Sequence, residues 1–160
     1  MRKFSSIFPL VALAFFGSVG IATSQRTNPP VNAYTQSVTR EVLASGNPSD
    51  TPEKLLELVR YTIPSGAKLP AHFHPGMQIE RVEFGTLTYT VVKGSAQIVR
   101  ADNTKETLQE GKTTLLQVGD SLSESGGMVH YGENKGDSIV ILLSTSLFDA
   151  KQPKAILVNP

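Results

Sequence analysis

Three residues hold all the imidazole of this 160-residue chain: His72, His74 and His130. His72 and His74 form a His-x-His pair. On an extended strand, residues two apart share a face, with about 7 Å between them along the chain. Both rings can then lean toward a single ion. Pro70 before the pair and Pro75-Gly76 after it mark bends that let the chain return to the same point. Gln78 and Glu80 stand at the start of the next β-rich run and share a face with each other. Cysteine is absent, which excludes disulfides, thiolate zinc sites, iron–sulfur clusters and thiol catalysis together.

The elements that must position these residues read as short strands. Hydrophobic residues make up 39% of the chain and charged residues 18%, so a packed core is expected rather than disorder. Val38–Ala44 reads as a first strand, ended by Ser45-Gly46-Asn47-Pro48. Lys54–Ile63 suits a helix start or a strand buried on both faces. Its β-branched and aromatic end, followed by Pro64-Ser65-Gly66, favours the strand. Further β-rich runs follow at Gln78–Phe84, Thr86–Val92, Ala96–Arg100, Thr113–Val118, His130–Gly132 and Ser138–Ser146. Glycine, asparagine and proline turn signals separate them. Many short strands at close spacing indicate an all-β sandwich or barrel.

Residues 1–24 differ from all that follows. Arg2 and Lys3 precede an almost wholly apolar run from Ile7 to Ala22, and no acidic residue occurs before Glu41. Ala22-Thr23-Ser24 offers small residues for a cut before Gln25, with a cut after Ala22 as the alternative. This is a secretory signal pattern. Pro9, Gly17, Ser18 and Gly20 interrupt the run and argue against a lasting membrane anchor. Removing residues 1–24 from 160 leaves 136. It takes two of the 15 basic residues and none of the 14 acidic ones, so net charge moves from +1 to −1. A near-neutral protein in a periplasm or outside the cell is expected, with no general pull toward nucleic acid. Residues 25–37 read as an N-terminal arm, 38–147 as the barrel domain and 148–160 as a C-terminal tail.

The spacings resemble a known family. Gly66, five residues, His72, one residue, His74, three residues, Gln78, six residues, Gly85 is similar to the first cupin motif. That motif has Glu, or sometimes Gln, where Gln78 stands. Gly119, five residues, Ser125, one residue, Gly127, two residues, His130, three residues, Asn134 is similar to the second, with Ser125 in place of the usual Pro. Together the motifs use every histidine. The resemblance implies a small jelly-roll β-barrel with a cavity. His72, His74 and His130 would bind one divalent transition metal there, and Gln78 would be the fourth ligand through its amide oxygen. A site of three nitrogens and one oxygen suits Fe, Mn, Ni, Co, Cu or Zn. The family habit of edge-to-edge contact implies a homodimer. Asn134 matches a motif position and is given a structural role.

Gln78 changes the expected chemistry. Three neutral imidazoles and a neutral amide leave the ion's +2 uncompensated, so an open position should attract hydroxide, an oxyanion or an enolate. Glu80 is the candidate catalytic residue, as general base, supporting partner or replacement ligand. Phe73 and Tyr131 are expected in the wall or core. Arg60 and Arg100 face either the cavity or solvent. Ser125 has no spare histidine to activate it as a nucleophile. Thr86 to Val118, 33 residues, is longer than one hairpin needs and is expected to cap the cavity or form a dimer edge. The resulting expectation is an exported cupin of oxygenase type acting on a small organic substrate. A redox-neutral lyase or isomerase, and a non-catalytic small-molecule or metal-binding module, are the alternatives.

Overall fold

The computed structural model describes residues 38–158. The expected signal peptide, the whole of the arm and the last two residues lie outside them. Twelve strands form two antiparallel sheets. The first sheet has the order β1 (Thr39–Gly46), β2 (Lys54–Ile63), β11 (Val140–Asp149), β4 (Met77–Phe84), β9 (Ser121–Glu124), β6 (Ser95–Val99) and β7 (Lys105–Gln109). The second has the order β12 (Ile156–Leu157), β3 (His72–Phe73), β10 (Val129–Glu133), β5 (Leu87–Lys93) and β8 (Thr113–Leu116). This is an all-β, two-sheet barrel of jelly-roll type.

Period-2 burial builds the interior. In β2, Glu57, Val59, Tyr61 and Ile63 point inward. Arg60 and Leu56 point out, so this strand is buried on one face rather than both. In β4 the inward residues are Gln78, Glu80 and Val82, and in β11 they are Val140, Leu142, Ser144, Ser146 and Phe148. Val59, Tyr61, Ile63, Leu87, Val140 and Leu142 belong to one apolar cluster. Fully burying one such side chain contributes about 1.5–3 kcal/mol, and this cluster holds the two sheets together around a polar end.

One expectation is corrected. Thr86–Val118 is not a cap: β5 and β8 lie in one sheet while β6 and β7 lie in the other, so the segment is barrel wall. Two strands carry no strong sequence signal, β7 and β9. The C-terminal tail packs along the edge of the second sheet, as its position suggests, and there Ile156 and Leu157 pair with Phe73 and His72 along β3. The four motif glycines, Gly66, Gly85, Gly119 and Gly127, have φ of 73°, 78°, 93° and 82°, a region that side chains avoid. At Gly85 an added Cβ would also stand 2.5 Å from the Ile139 carbonyl oxygen.

Candidate metal centre

β3 and β10 set the imidazoles against one another. His72 and His130 are direct register partners, and His74 follows two residues along the chain. Ring centroids are 4.4 Å apart for His72 and His130, 5.0 Å for His72 and His74, and 5.2 Å for His74 and His130. One ligand atom from each of the three lies within 4.8 Å of the others. His74 also stacks on Phe148, and His130 on Tyr89.

Each ring is oriented from behind by a backbone carbonyl. His72 Nδ1 lies 2.8 Å from Pro70 O, His74 Nδ1 2.7 Å from Lys154 O, and His130 Nδ1 3.4 Å from Met128 O. A carbonyl only accepts, so Nδ1 carries the proton and Nε2 keeps the lone pair in the neutral ring. Burial, with the neighbouring imidazole charge, lowers His72 to about 4 and His74 to about 3. Burial alone brings His130 to about 4. All three rings are therefore neutral at pH 7 and present nitrogen lone pairs, which is the form a metal binds.

Two carboxylates and an amide complete the polar end. Glu80 and Glu124 are 6% and 1% exposed. Gln78 Nε2 donates to Glu80 Oε1 at 2.7 Å and lies 3.4 Å from Glu124 Oε2 and 3.2 Å from His74 Nε2. Its Oε1 is buried without a partner. As placed, Gln78 sets its Nε2 rather than its oxygen beside His74 and Glu80, and a half-turn of the amide exchanges the two atoms. Tyr89 donates its O–H to Glu124 Oε1 at 2.6 Å. Burial, then the charge of Glu124, raises Glu80 well above the usual carboxylate range. Burial brings Glu124 up to about 7.

The sequence matches no protein-family model, and no curated protein is significantly similar to it. Solved structures are informative. Oxalate oxidase in complex with the substrate analogue glycolate matches with a TM-score of 0.52 at 16% identity, over 79% of this chain and 58% of that one. Salicylate 1,2-dioxygenase from Pseudaminobacter salicylatoxidans matches with a TM-score of 0.50 at 14% identity, over 74% of this chain and 28% of that one. The chain has the cupin fold. It spans well under two thirds of the length of either neighbour.

The cupin cavity is lined by Tyr61, Ile63, Leu69, Leu87 and Leu142 on its apolar side, and by the three histidines, Gln78, Glu80 and Tyr89 on the other. Its volume is ≈ 30 Å³, room for about two water molecules on the same measure. Neither candidate arginine enters it. Arg60 is exposed and pairs with Glu41, while Arg100 is tied to Asp120 and Glu106 outside the barrel. Asn134 is structural: its Nδ2 donates to the carbonyls of Ile63 and Ser138 at 2.9 and 2.8 Å. Glu124 and Tyr89 are the site residues that sequence reasoning missed. The available signal for Glu124 was its place two residues after Leu122, which sets both on one face of a strand.

The donor set fits a divalent ion. Three neutral imidazoles with fixed tautomers converge in a buried pocket beside carboxylates, with no thiol nearby. His72, His74 and His130 would hold the ion, which would supply a Lewis acid and a place for an oxygen-donor ligand to bind.

Proposed function

We propose that this cupin is a metal-dependent enzyme of oxygenase type that acts on a small, mostly apolar organic molecule. The observation that carries the reading is the shared tautomer of His72, His74 and His130, with every Nδ1 set on a backbone carbonyl. Such an arrangement leaves the Nε2 lone pairs to an imidazole metal site, and the convergence of the three rings places them together. The similarity in fold to an oxidase and a dioxygenase supports the same class.

The substrate class follows from the walls. No Lys or Arg lines the cavity, and its far side is aliphatic and aromatic. Glu80 lies in the cavity wall, where burial and the charge of Glu124 raise its carboxyl pKa, and in its ionised form it would be the group placed to act as a base. It would take the proton from a hydroxyl or an acidic C–H of the substrate. Ile63, Leu69, Leu87 and Leu142 would exclude water, and would have to move apart to admit an organic substrate into the ≈ 30 Å³ cavity. Export of the chain, with release of residues 1–24, belongs to the same proposal.

The test is turnover by the metal-loaded protein on small enols, diketones and phenols, with and without O2. Consumption of O2 matched to product supports the reading. Turnover unchanged by O2 removal contradicts it and favours a lyase or isomerase. N-terminal sequencing of the exported protein should begin at Gln25 or Thr23.

A further inference from the structure

The motif position that usually carries a carboxylate holds the neutral Gln78 in this chain. One strand away stands Glu124. Gln78 and Glu124 are register partners across β4 and β9, so their side chains leave adjacent strands on the same inward face. The two oxygens of Glu124 are divided between two imidazoles. Oε1 lies 3.2 Å from His130 Nε2, and Oε2 lies 3.5 Å from His74 Nε2. Donor atoms that share one ion at about 2.1 Å stand about 3.0 to 3.4 Å apart. The Glu124–His130 separation lies in that range and the Glu124–His74 separation just beyond it.

The contact is not an ordinary ion pair. The proton of each ring sits on Nδ1 against a carbonyl, so Nε2 and an ionised carboxylate oxygen meet as two acceptors, and the contact calls for a proton on Glu124 or a cation between them. A cation between them turns that opposition into attraction. Glu124 is also held as a ligating carboxylate is held. Tyr89 O–H donates to Oε1 at 2.6 Å, and Gln78 Nε2 lies 3.4 Å from Oε2. Gln78 donates from the same nitrogen to Glu80 at 2.7 Å and so bridges the two carboxylates.

We propose that Glu124 is the carboxylate ligand of the ion held by His72, His74 and His130, and that Gln78 is the clamp that positions it. The acidic donor has moved from one strand to its neighbour, and the vacated position has become a hydrogen-bond donor. The ion then meets one negative charge after all, and the strongly electropositive site expected from Gln78 alone does not arise. This assignment rests on the metal-centre reading above.

Cobalt(II) affinity of the whole protein, measured by chelator competition, tests it. Glu124→Gln should weaken binding about 100-fold or more. Gln78→Glu combined with Glu124→Gln should regain most of the loss, because the carboxylate returns on the adjacent strand. Equal affinity in Glu124→Gln and the unmutated protein overturns the assignment. So does a loss that the double exchange does not recover, since Glu124 would then support the fold rather than the ion. Should Glu124→Gln fail to fold, a crystal structure of the unmutated cobalt-loaded protein decides. A Glu124 oxygen within about 2.2 Å of the ion supports the assignment, and the Gln78 oxygen in its place overturns it. Absence of any cobalt binding by the unmutated protein removes the metal centre itself. Unchanged binding in Glu124→Gln leaves that centre standing.

Discussion

His72 and His130 face each other directly across β3 and β10, with ring centroids 4.4 Å apart. They are 58 residues apart in sequence, so only closure of the barrel brings them together. Burial of both in neutral form links the fold to the chemistry. The interior that lowers their pKa is the same one that frees them to bind a metal at neutral pH.

Tyr89 should matter to the ion although it lies behind Glu124. Tyr89→Phe removes the 2.6 Å hydrogen bond to Glu124 Oε1. Metal affinity should fall about tenfold, with a stability cost of about 1–3 kcal/mol from the unpaired acceptor. Chelator competition and denaturant unfolding read the two effects. Unchanged affinity would separate Tyr89 from the site.

Glu80 should separate chemistry from metal binding. Glu80→Gln keeps the side-chain shape and removes the base. Turnover should drop about 10²- to 10⁴-fold while metal content stays near that of the unmutated protein. Loss of the metal would show that Glu80 acts as a ligand instead.

The C-terminal segment should be part of the site. The Lys154 carbonyl accepts from His74 Nδ1 at 2.7 Å, and Ile156 and Leu157 pair with β3. A stop after Ala150 removes both supports and should weaken metal binding about 10- to 100-fold. Lys154→Ala keeps the carbonyl and should leave affinity nearly unchanged. A strong effect of Lys154→Ala would point to the ammonium group rather than the backbone.

Asp120 anchors the start of β9 and should give a pH-dependent contribution to stability. Burial pushes its carboxyl up. The Gln117 and Ala101 N–H groups and the Arg100 guanidinium outweigh that and hold it below the usual carboxylate range. A depressed folded pKa means the unfolded chain binds the proton more readily. The contribution is therefore present above about pH 4 and lost as pH falls below it. Asp120→Asn should cost about 1–3 kcal/mol at pH 7, and the difference should shrink below pH 4. A difference independent of pH would deny the charge a role.

The parts of this protein that were readable from sequence share a physical cause. Turn glycines, alternating strands and the His72-x-His74 spacing are local signals, so the barrel and the histidine pair were legible, whereas His130 joined them only through the resemblance to the second cupin motif. Glu124 was not, because β9 is four residues long with Leu122 as its one apolar member. In sequence it looks like a charged loop between Gly119-Asp120 and Gly126-Gly127. β7 was hidden for a similar reason, since only Leu108 of its five residues is buried. The orientation of Gln78 was invisible as well. It depends on Glu80 and Glu124 together, and that pairing exists only once β4 and β9 are adjacent.

The most direct test is the metal content of the purified protein beside His72→Ala. After loading and dialysis, the account predicts about one equivalent of a first-row transition metal in the unmutated protein and a large loss in His72→Ala. Less than about a tenth of an equivalent in the unmutated protein would contradict it.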